Sequence, residues 1–540
     1  MKDISSTGSF IDFTLENFIY VDKTEYIPKL VKLKRVFISR PRRFGKSLTL
    51  DTIATLFESG VEPYFKGTWI YDKWTEPTYP VLRLNFLDLD KYSLEHFKQK
   101  LNAIISSFAR DINVKNYEEK VEPEDTIYFL LDELRKEKRQ IVILIDEYDC
   151  QMTANINNET LYKQFQEKIK SFYATIKNKW PIKFLGITGV TRLKDVEIFS
   201  IGSDINDITN DSVYSQMIGF TRDEIKKYYI DYLKLAASYE NKCRVEEVTD
   251  TQIESMLDMM AQNYDGYCFD EFYKKKVFST WSVNKFFQSV VSNKFVYFGE
   301  YWYDNGGLPS ILVNYLKTHE LNIFEYLDKD KFLKVSSDDF KNPTALTTIN
   351  QNVLMCQTGY LTLRSDLNKT STVALGIPNG EIYKALNRLL ANNIFKGNTD
   401  ITDDYGRSLL EVGTVDDIIN LFNSALNSVS YDNYPIVSES SVQNMLKLYL
   451  LGAHQKVLSE VHEAKGRADL VVNTDNRRIV FEFKYAKNET EAKSKLLDAV
   501  EQIKTRDYGN IVPKKTELLR IAAVFNADPK VRAFTEYQKV

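Results

Sequence analysis

Two groups of residues in this chain have the types and spacing to handle phosphate. The first is Arg40-Pro41-Arg42-Arg43-Phe44-Gly45-Lys46-Ser47, directly after the apolar run Val36-Phe37-Ile38. Its Gly-Lys-Ser ending is that of a phosphate loop. Gly45 lets the backbone turn in, Lys46 reaches the β- and γ-phosphates of ATP, and the Ser47 hydroxyl binds Mg²⁺. The first glycine of G-x-x-x-x-G-K-S falls at position 40, where this chain has Arg40. With Arg40, Arg42 and Arg43 the loop should be stiffer and more cationic than a glycine-rich one. One of these arginines is expected to contact phosphate, with Arg40 and Arg43 as the cofactor-binding candidates.

Further along, Ile141-Val142-Ile143-Leu144-Ile145 runs into Asp146-Glu147. Five consecutive apolar residues predict a strand buried on both faces of a parallel sheet, ending in adjacent carboxylates. Asp146 would hold Mg²⁺, directly or through water, and Glu147 would polarise the attacking water. Taken alone, such carboxylates also serve solubility at a strand end. A following strand, 182–187, leads to Thr188-Gly189-Val190-Thr191-Arg192. Thr188, Thr191 or Arg192 is placed to sense a γ-phosphate where strand ends converge; the alternative is an ordinary strand-to-loop transition with a capping threonine.

The second group lies near the C-terminus, in Gly466-Arg467-Ala468-Asp469 and Phe481-Glu482-Phe483-Lys484. The turn-rich Asn473-Thr474-Asp475-Asn476 between them predicts a hairpin. Alternation puts Ile479, Phe481 and Phe483 on one face, and Val480, Glu482 and Lys484 on the other, with Asp469 across the hairpin. Asp469 and Glu482 are hard oxygen ligands for Mg²⁺. With Lys484 they would activate water for attack on a phosphodiester. Glu460, on the preceding element, is a further candidate ligand. The simpler reading is an amphipathic hairpin with a surface Glu–Lys pair.

Positioning these groups takes more than one core. A chain of 540 residues predicts two to four domains. Helical spacing at Leu50, Ile53, Ala54 and Phe57 follows the phosphate loop, a strand is expected at 81–86, and helices around 97–108 and 127–134. Asp22 or Thr24 is read as the cap of a short helix through Leu30 and Leu33, and Thr221-Arg222-Asp223-Glu224 as a helix start. A helical lid and connector follow, with a strand at 359–363. The net charge of -4 argues against wholesale coating of nucleic acid but not against a local basic groove. Mean hydropathy is -0.34, and no apolar run is long enough to span a bilayer. The N-terminus has no apolar signal core, and the four cysteines are scattered singly. No zinc site or disulfide framework is expected, and a reducing cytoplasm is the expected location.

Together these residues resemble the AAA-ATPase-like family, whose phosphate loop is typically written as residues 40–47 read here. The C-terminal part resembles the PD-(D/E)XK nuclease superfamily. Matching segments include 20–24, 144–149, 188–191, 264–267, 357–361, 378–379, 466–469, 481–484 and 502–503. The resemblance implies an α/β fold: a P-loop NTPase core with a parallel sheet over 1–220, a helical lid and connector over 221–380, and a restriction-endonuclease-like domain over 381–540. It implies ATP and Mg²⁺ as cofactors, with Lys46, Ser47, Asp146 and Glu147 binding the nucleotide. It implies a nuclease-like metal site at Asp469, Glu482 and Lys484, with Glu460 and Gln502 as accessories. The expected partner is nucleic acid, DNA first, and no membrane. A trans-acting arginine finger, with Arg192 or Arg222 as candidates, would require a homo-oligomer. The alternative is a nucleotide-switched interaction or regulatory protein with a non-cleaving nuclease fold.

Overall fold

A computed structural model describes residues 1–177, 179–193, 204–302, 310–316, 323–343, 345–395, 405–453, 455–463, 466–508 and 517–540. Two compact units are present. One comprises 1–319 with 332–382, the other 320–331 with 383–540.

The first unit is built on five parallel strands: β1 (Arg35–Ser39), β2 (Val81–Asn85), β3 (Ile141–Asp146), β4 (Ile182–Gly189) and β5 (Asn206–Asp207), in the order β2-β3-β4-β1-β5. Every residue of β1 is buried, and β3 buries five residues before the half-buried Asp146. That is the burial pattern of central strands covered on both faces. The helix Lys46–Ser59 buries Leu50, Ile53, Ala54 and Phe57, the residues whose spacing marks it in the sequence. The phosphate loop, Asp146 and Thr188 therefore all lie at the carboxyl edge of one sheet. Gly189 closes β4 against the next element. A Cβ there would stand 2.4 Å from the Tyr148 ring and 2.8 Å from Asp149 Oδ1, so no larger residue fits.

Beyond the sheet, Thr221 and Glu224 form a reciprocal capping box. Helices Arg222–Tyr228, Ile230–Asn241, Asp250–Tyr264 and Thr280–Asn293 then pool Ile225, Leu233, Leu257 and Phe287 in one apolar cluster. Two details differ from the sequence reading. Neither Asp22 nor Thr24 caps the helix Ile27–Leu33, whose N-cap is Tyr26. Asp22 instead accepts the backbone N–H and hydroxyl of Thr24 and the N–H of Trp69, tying the leader to a distant turn. The connector also contains a three-stranded antiparallel sheet, β6 (Leu333–Ser336), β7 (Thr362–Leu363) and β8 (Thr372–Gly376), in the order β6-β8-β7. β7 falls within the strand expected at 359–363, while β6 and β8 span only four and five residues, too short for period-2 alternation to stand out.

The second unit carries β9 (Lys456–Glu463), β10 (Gly466–Asn473), β11 (Arg477–Ala486), β12 (Glu517–Asn526) and β13 (Ala533–Lys539), in the order β13-β12-β11-β10-β9. Only β11 and β12 run parallel, and the helix Glu489–Arg506 lies between them in sequence. Val480 on β11 packs against Ala499, Val500 and Ile503 of that helix. Phe481 and Phe483 face the other way, with ring centroids 5.3 Å from Phe422 and 5.6 Å from Phe534. All four cysteines are free. No helix among the described residues is long and apolar enough to cross a membrane.

Candidate functional site

The first candidate site forms where the loop leaves β1. Gly45 has φ 100°, a conformation that glycine adopts without a Cβ clash, and directly precedes the helix Lys46–Ser59. Lys46 Nζ donates to the carbonyls of Arg40 at 3.1 Å and Pro41 at 3.2 Å, and lies 3.6 Å from Glu147 Oε1. Ser47 Oγ donates to Asp146 Oδ2 at 2.6 Å. The other oxygen of Asp146 accepts the Glu147 N–H at 3.0 Å and the Thr188 hydroxyl. Asp146 is thus held by three donors from three chain segments. Glu147 sits at φ 52°, a left-handed conformation that costs a non-glycine residue about 1 kcal/mol. Burial pushes its carboxyl above the usual range, and the Lys46 ammonium works against that shift. A cavity of about 370 Å³ opens at the loop, lined by Lys46, Ser47 and Glu147 together with the apolar Ile19, Leu30 and Phe220. The size suits a small organic ligand. The donor set, an ammonium and a hydroxyl beside a carboxylate, suits a phosphate with its cation.

The arginines divide differently from the sequence reading. Arg40 is not in this cavity. It is 1% exposed, donates to the carbonyls of Ser39 and Thr209, and stacks 4.1 Å from the Phe269 ring. Burial lowers its pKa to about 9. Arg40 is therefore a structural residue beneath the loop. Arg43, at φ 68°, borders the cavity but spends its guanidinium on the carbonyls of Tyr301 and Trp302 and on the Trp281 ring, 4.7 Å away. Arg42 also lines the cavity and makes no hydrogen bond or ion pair with the described residues, which leaves it free to meet an anion. Arg192 is likewise corrected as a phosphate sensor: it pairs with Asp207 and donates to the Lys341 carbonyl, away from the cavity. Thr191 is absorbed by buried Asp149, which takes both its N–H and its hydroxyl. Arg222 is paired with Glu254 and Asp258.

The contacts of Arg43 lead to a buried acid that sequence reading passes over. Glu381, 2% exposed, accepts from Ser282 Oγ at 2.7 Å and from the Trp302 N–H at 2.8 Å. Burial pushes its carboxyl from 4.5 up to about 8, against those two hydrogen bonds. Between these values the folded chain keeps a proton that the unfolded chain releases. Stability is therefore lost as pH rises across that window, by at most about 1.4 kcal/mol per unit, and no further above it. Glu381→Gln keeps an acceptor for Trp302 and offers an N–H to Ser282. Its urea midpoint should exceed that of the parent at pH 8.5, with the difference shrinking toward pH 5.

The second candidate site lies in the hairpin of β10 and β11. Leu470 pairs with Phe481, so Asp469 falls opposite Glu482. Asp469 Oδ2 accepts the Phe483 N–H at 2.8 Å, and Lys484 Nζ lies 2.8 Å from Glu482 Oε1. Glu482 is 0% exposed, and its second oxygen is buried with no hydrogen-bond partner among the described residues. Burial raises both carboxyls, that of Glu482 to about 7 with Asp469 adding repulsion. Although burial works against its charge, the Glu482 hydrogen bond leaves the Lys484 pKa raised. An orphaned carboxylate oxygen beside a second acid is what a hard cation would satisfy. The Glu460 side chain lies outside the described residues; its neighbours Ser459 and Val461 pair with Leu470 and Ala468, so its backbone runs beside Asp469. Among the described residues no three His, Cys, Asp or Glu side chains are grouped to hold a metal. Gln502 donates to the Tyr508 hydroxyl at 3.3 Å.

Three residues of this second site are missed by sequence reading. Glu439 stands 3.5 Å from Lys484, Gln443 hydrogen-bonds Asp469, and Arg506 feels the charges of Glu482 and Asp469. Glu439 follows the helix cap Ser438, where an acid is already explained by the helix dipole. Nothing local marks it as a site residue.

Residues 5–199 match the family model described as a predicted AAA-ATPase, and residues 437–534 match that of the PD-(D/E)XK nuclease superfamily. A curated relative, "Uncharacterized protein in vnfD 5'region" from Azotobacter chroococcum mcd 1, is 25% identical over 532 residues, covering 95% of this chain and 94% of that protein. The crystal structure of Cdc6p from Pyrobaculum aerophilum aligns with 68% of this chain and 93% of its own, at 11% identity and a TM-score of 0.23. The chain thus carries an AAA-ATPase-like domain over 5–199 and a PD-(D/E)XK nuclease-superfamily domain over 437–534.

Proposed function

We propose that this chain binds and hydrolyses ATP in its N-terminal unit and cuts nucleic acid, DNA in the first instance, in its C-terminal unit. In this reading residues 1–220 are the ATPase core, 221–380 the lid and connector, and 381–540 the nuclease-like domain. Lys46 neutralises the phosphate tail, Arg42 adds a second positive charge, Ser47 and Asp146 hold Mg²⁺, and Glu147 orients the attacking water. In the second unit Asp469 and Glu482 hold a divalent cation, and Lys484 stays beside the water as a proton-handling group. Bound Mg²⁺ supplies Lewis acidity toward the phosphodiester and a more acidic water. The observation that supports cleavage most directly is the buried, unpartnered oxygen of Glu482 beside Asp469 and Lys484.

The test is incubation of the full chain with supercoiled plasmid, single-stranded DNA and RNA, with and without Mg²⁺ and ATP. Nicking that requires Mg²⁺ and responds to ATP is the expected result. Tight binding of ATP and DNA with no cut in Mg²⁺ or Mn²⁺ would replace this reading with a nucleotide-switched binding protein.

A further inference from the structure

A second carboxylate stands near Lys484. Glu439 is the first residue of the helix Glu439–Gly452, and its Oε1 lies 3.5 Å from Lys484 Nζ, while Glu482 Oε1 lies 2.8 Å from it. One turn further on, Gln443 hydrogen-bonds Asp469. The same helix therefore addresses both acids of the hairpin, one directly and one through the lysine. Residues four apart share a helix face, so this arrangement follows from the helix geometry.

The ammonium of Lys484 creates a conflict. It occupies one oxygen of Glu482, and the other oxygen of that residue is buried and unpartnered. A cation that takes this unpartnered oxygen of Glu482 sets a second positive charge beside the Lys484 ammonium on the same carboxylate. An ammonium released inside a half-buried site without another anion is costly, because each charge there needs a partner. Glu439 is the available partner, already within ion-pair distance and itself only half-buried.

We propose that Glu439 is a positioning residue that takes over Lys484 when a divalent cation occupies Glu482. This rests on the nuclease-like reading and adds to it how the site makes room for its cation. Glu439 does not ligate the cation. It lowers the cost of loading it and keeps the ammonium in the site instead of letting it compete for Glu482.

The test is Mn²⁺ titration of the full, nucleotide-free chain by calorimetry, with Glu482→Gln defining the binding that belongs to this site. Glu439→Gln should weaken that binding about tenfold, as loss of a supporting partner typically does. In a Lys484→Met background, where no ammonium competes, the same Glu439→Gln change should shift affinity less than about twofold. Equal losses in both backgrounds would make Glu439 a direct ligand and overturn the hand-over. No loss in either would overturn it too. Mn²⁺ binding that Glu482→Gln leaves intact would bring down the nuclease-like reading itself, a result distinct from the other two.

Discussion

Lys46→Ala is expected to lower ATP hydrolysis at saturating nucleotide by about 100-fold or more, the usual scale for removing one charge-stabilising donor. The ammonium is buried, 4% exposed, and is bonded to the carbonyls of Arg40 and Pro41. Phosphate oxygens would replace those carbonyls as acceptors, so the site stores its cation in its own loop. The same substitution leaves Glu147 buried without its counter-charge. Some loss of stability is therefore expected together with the loss of turnover. Glu147→Gln separates the two effects. It removes the carboxylate charge while preserving shape, so nucleotide should still bind, measured by fluorescence of a labelled ATP analogue, while hydrolysis stops. Undiminished phosphate release from Lys46→Ala would take the nucleotide site away from this loop.

In the second unit, Asp469→Asn should reduce Mg²⁺-dependent cleavage by roughly 1000-fold, about 4 kcal/mol of barrier, because a metal ligand of full charge is lost. Asparagine is the better choice over alanine. Asp469 Oδ2 accepts the Phe483 N–H, and Phe483 is 0% exposed. Truncation would orphan that buried N–H and cost about 1–3 kcal/mol of stability on its own. The amide oxygen of asparagine still accepts, so a fall in nicking can be attributed to charge. The melting temperature of the variant should stay close to that of the parent. Cleavage at the parent's rate in Asp469→Asn would rule out the assigned metal site.

Much of the architecture was legible because it is written in local pattern. The five apolar residues before Asp146 and the alternation at Phe481, Glu482, Phe483 and Lys484 need no long-range information. The helix start at Thr221 was equally readable, since its capping box is closed within four residues. Where the reading failed, the cause was an interaction partner distant in sequence. Arg40 looked like a phosphate ligand from its place in the loop. It was turned inward by the Thr209 carbonyl and the Phe269 ring. Arg192 went to Asp207 for the same reason. The short strands β6 and β8 left no periodic signal, whereas β7 falls within the strand expected at 359–363.

The amino-acid sequence alone determined which chemistries this protein can attempt, because Gly45-Lys46-Ser47, Asp146-Glu147 and the Asp469, Glu482, Lys484 set are defined by residue type and spacing. Tertiary structure decided which charges are free to take part. Of three loop arginines, packing against Phe269 buries one, backbone carbonyls hold a second, and Arg42 remains at the cavity. Folding likewise brought Glu439 to Lys484 from 45 residues away. A charge partner at that distance has no trace in local periodicity, and only the packing of a helix on a sheet creates it.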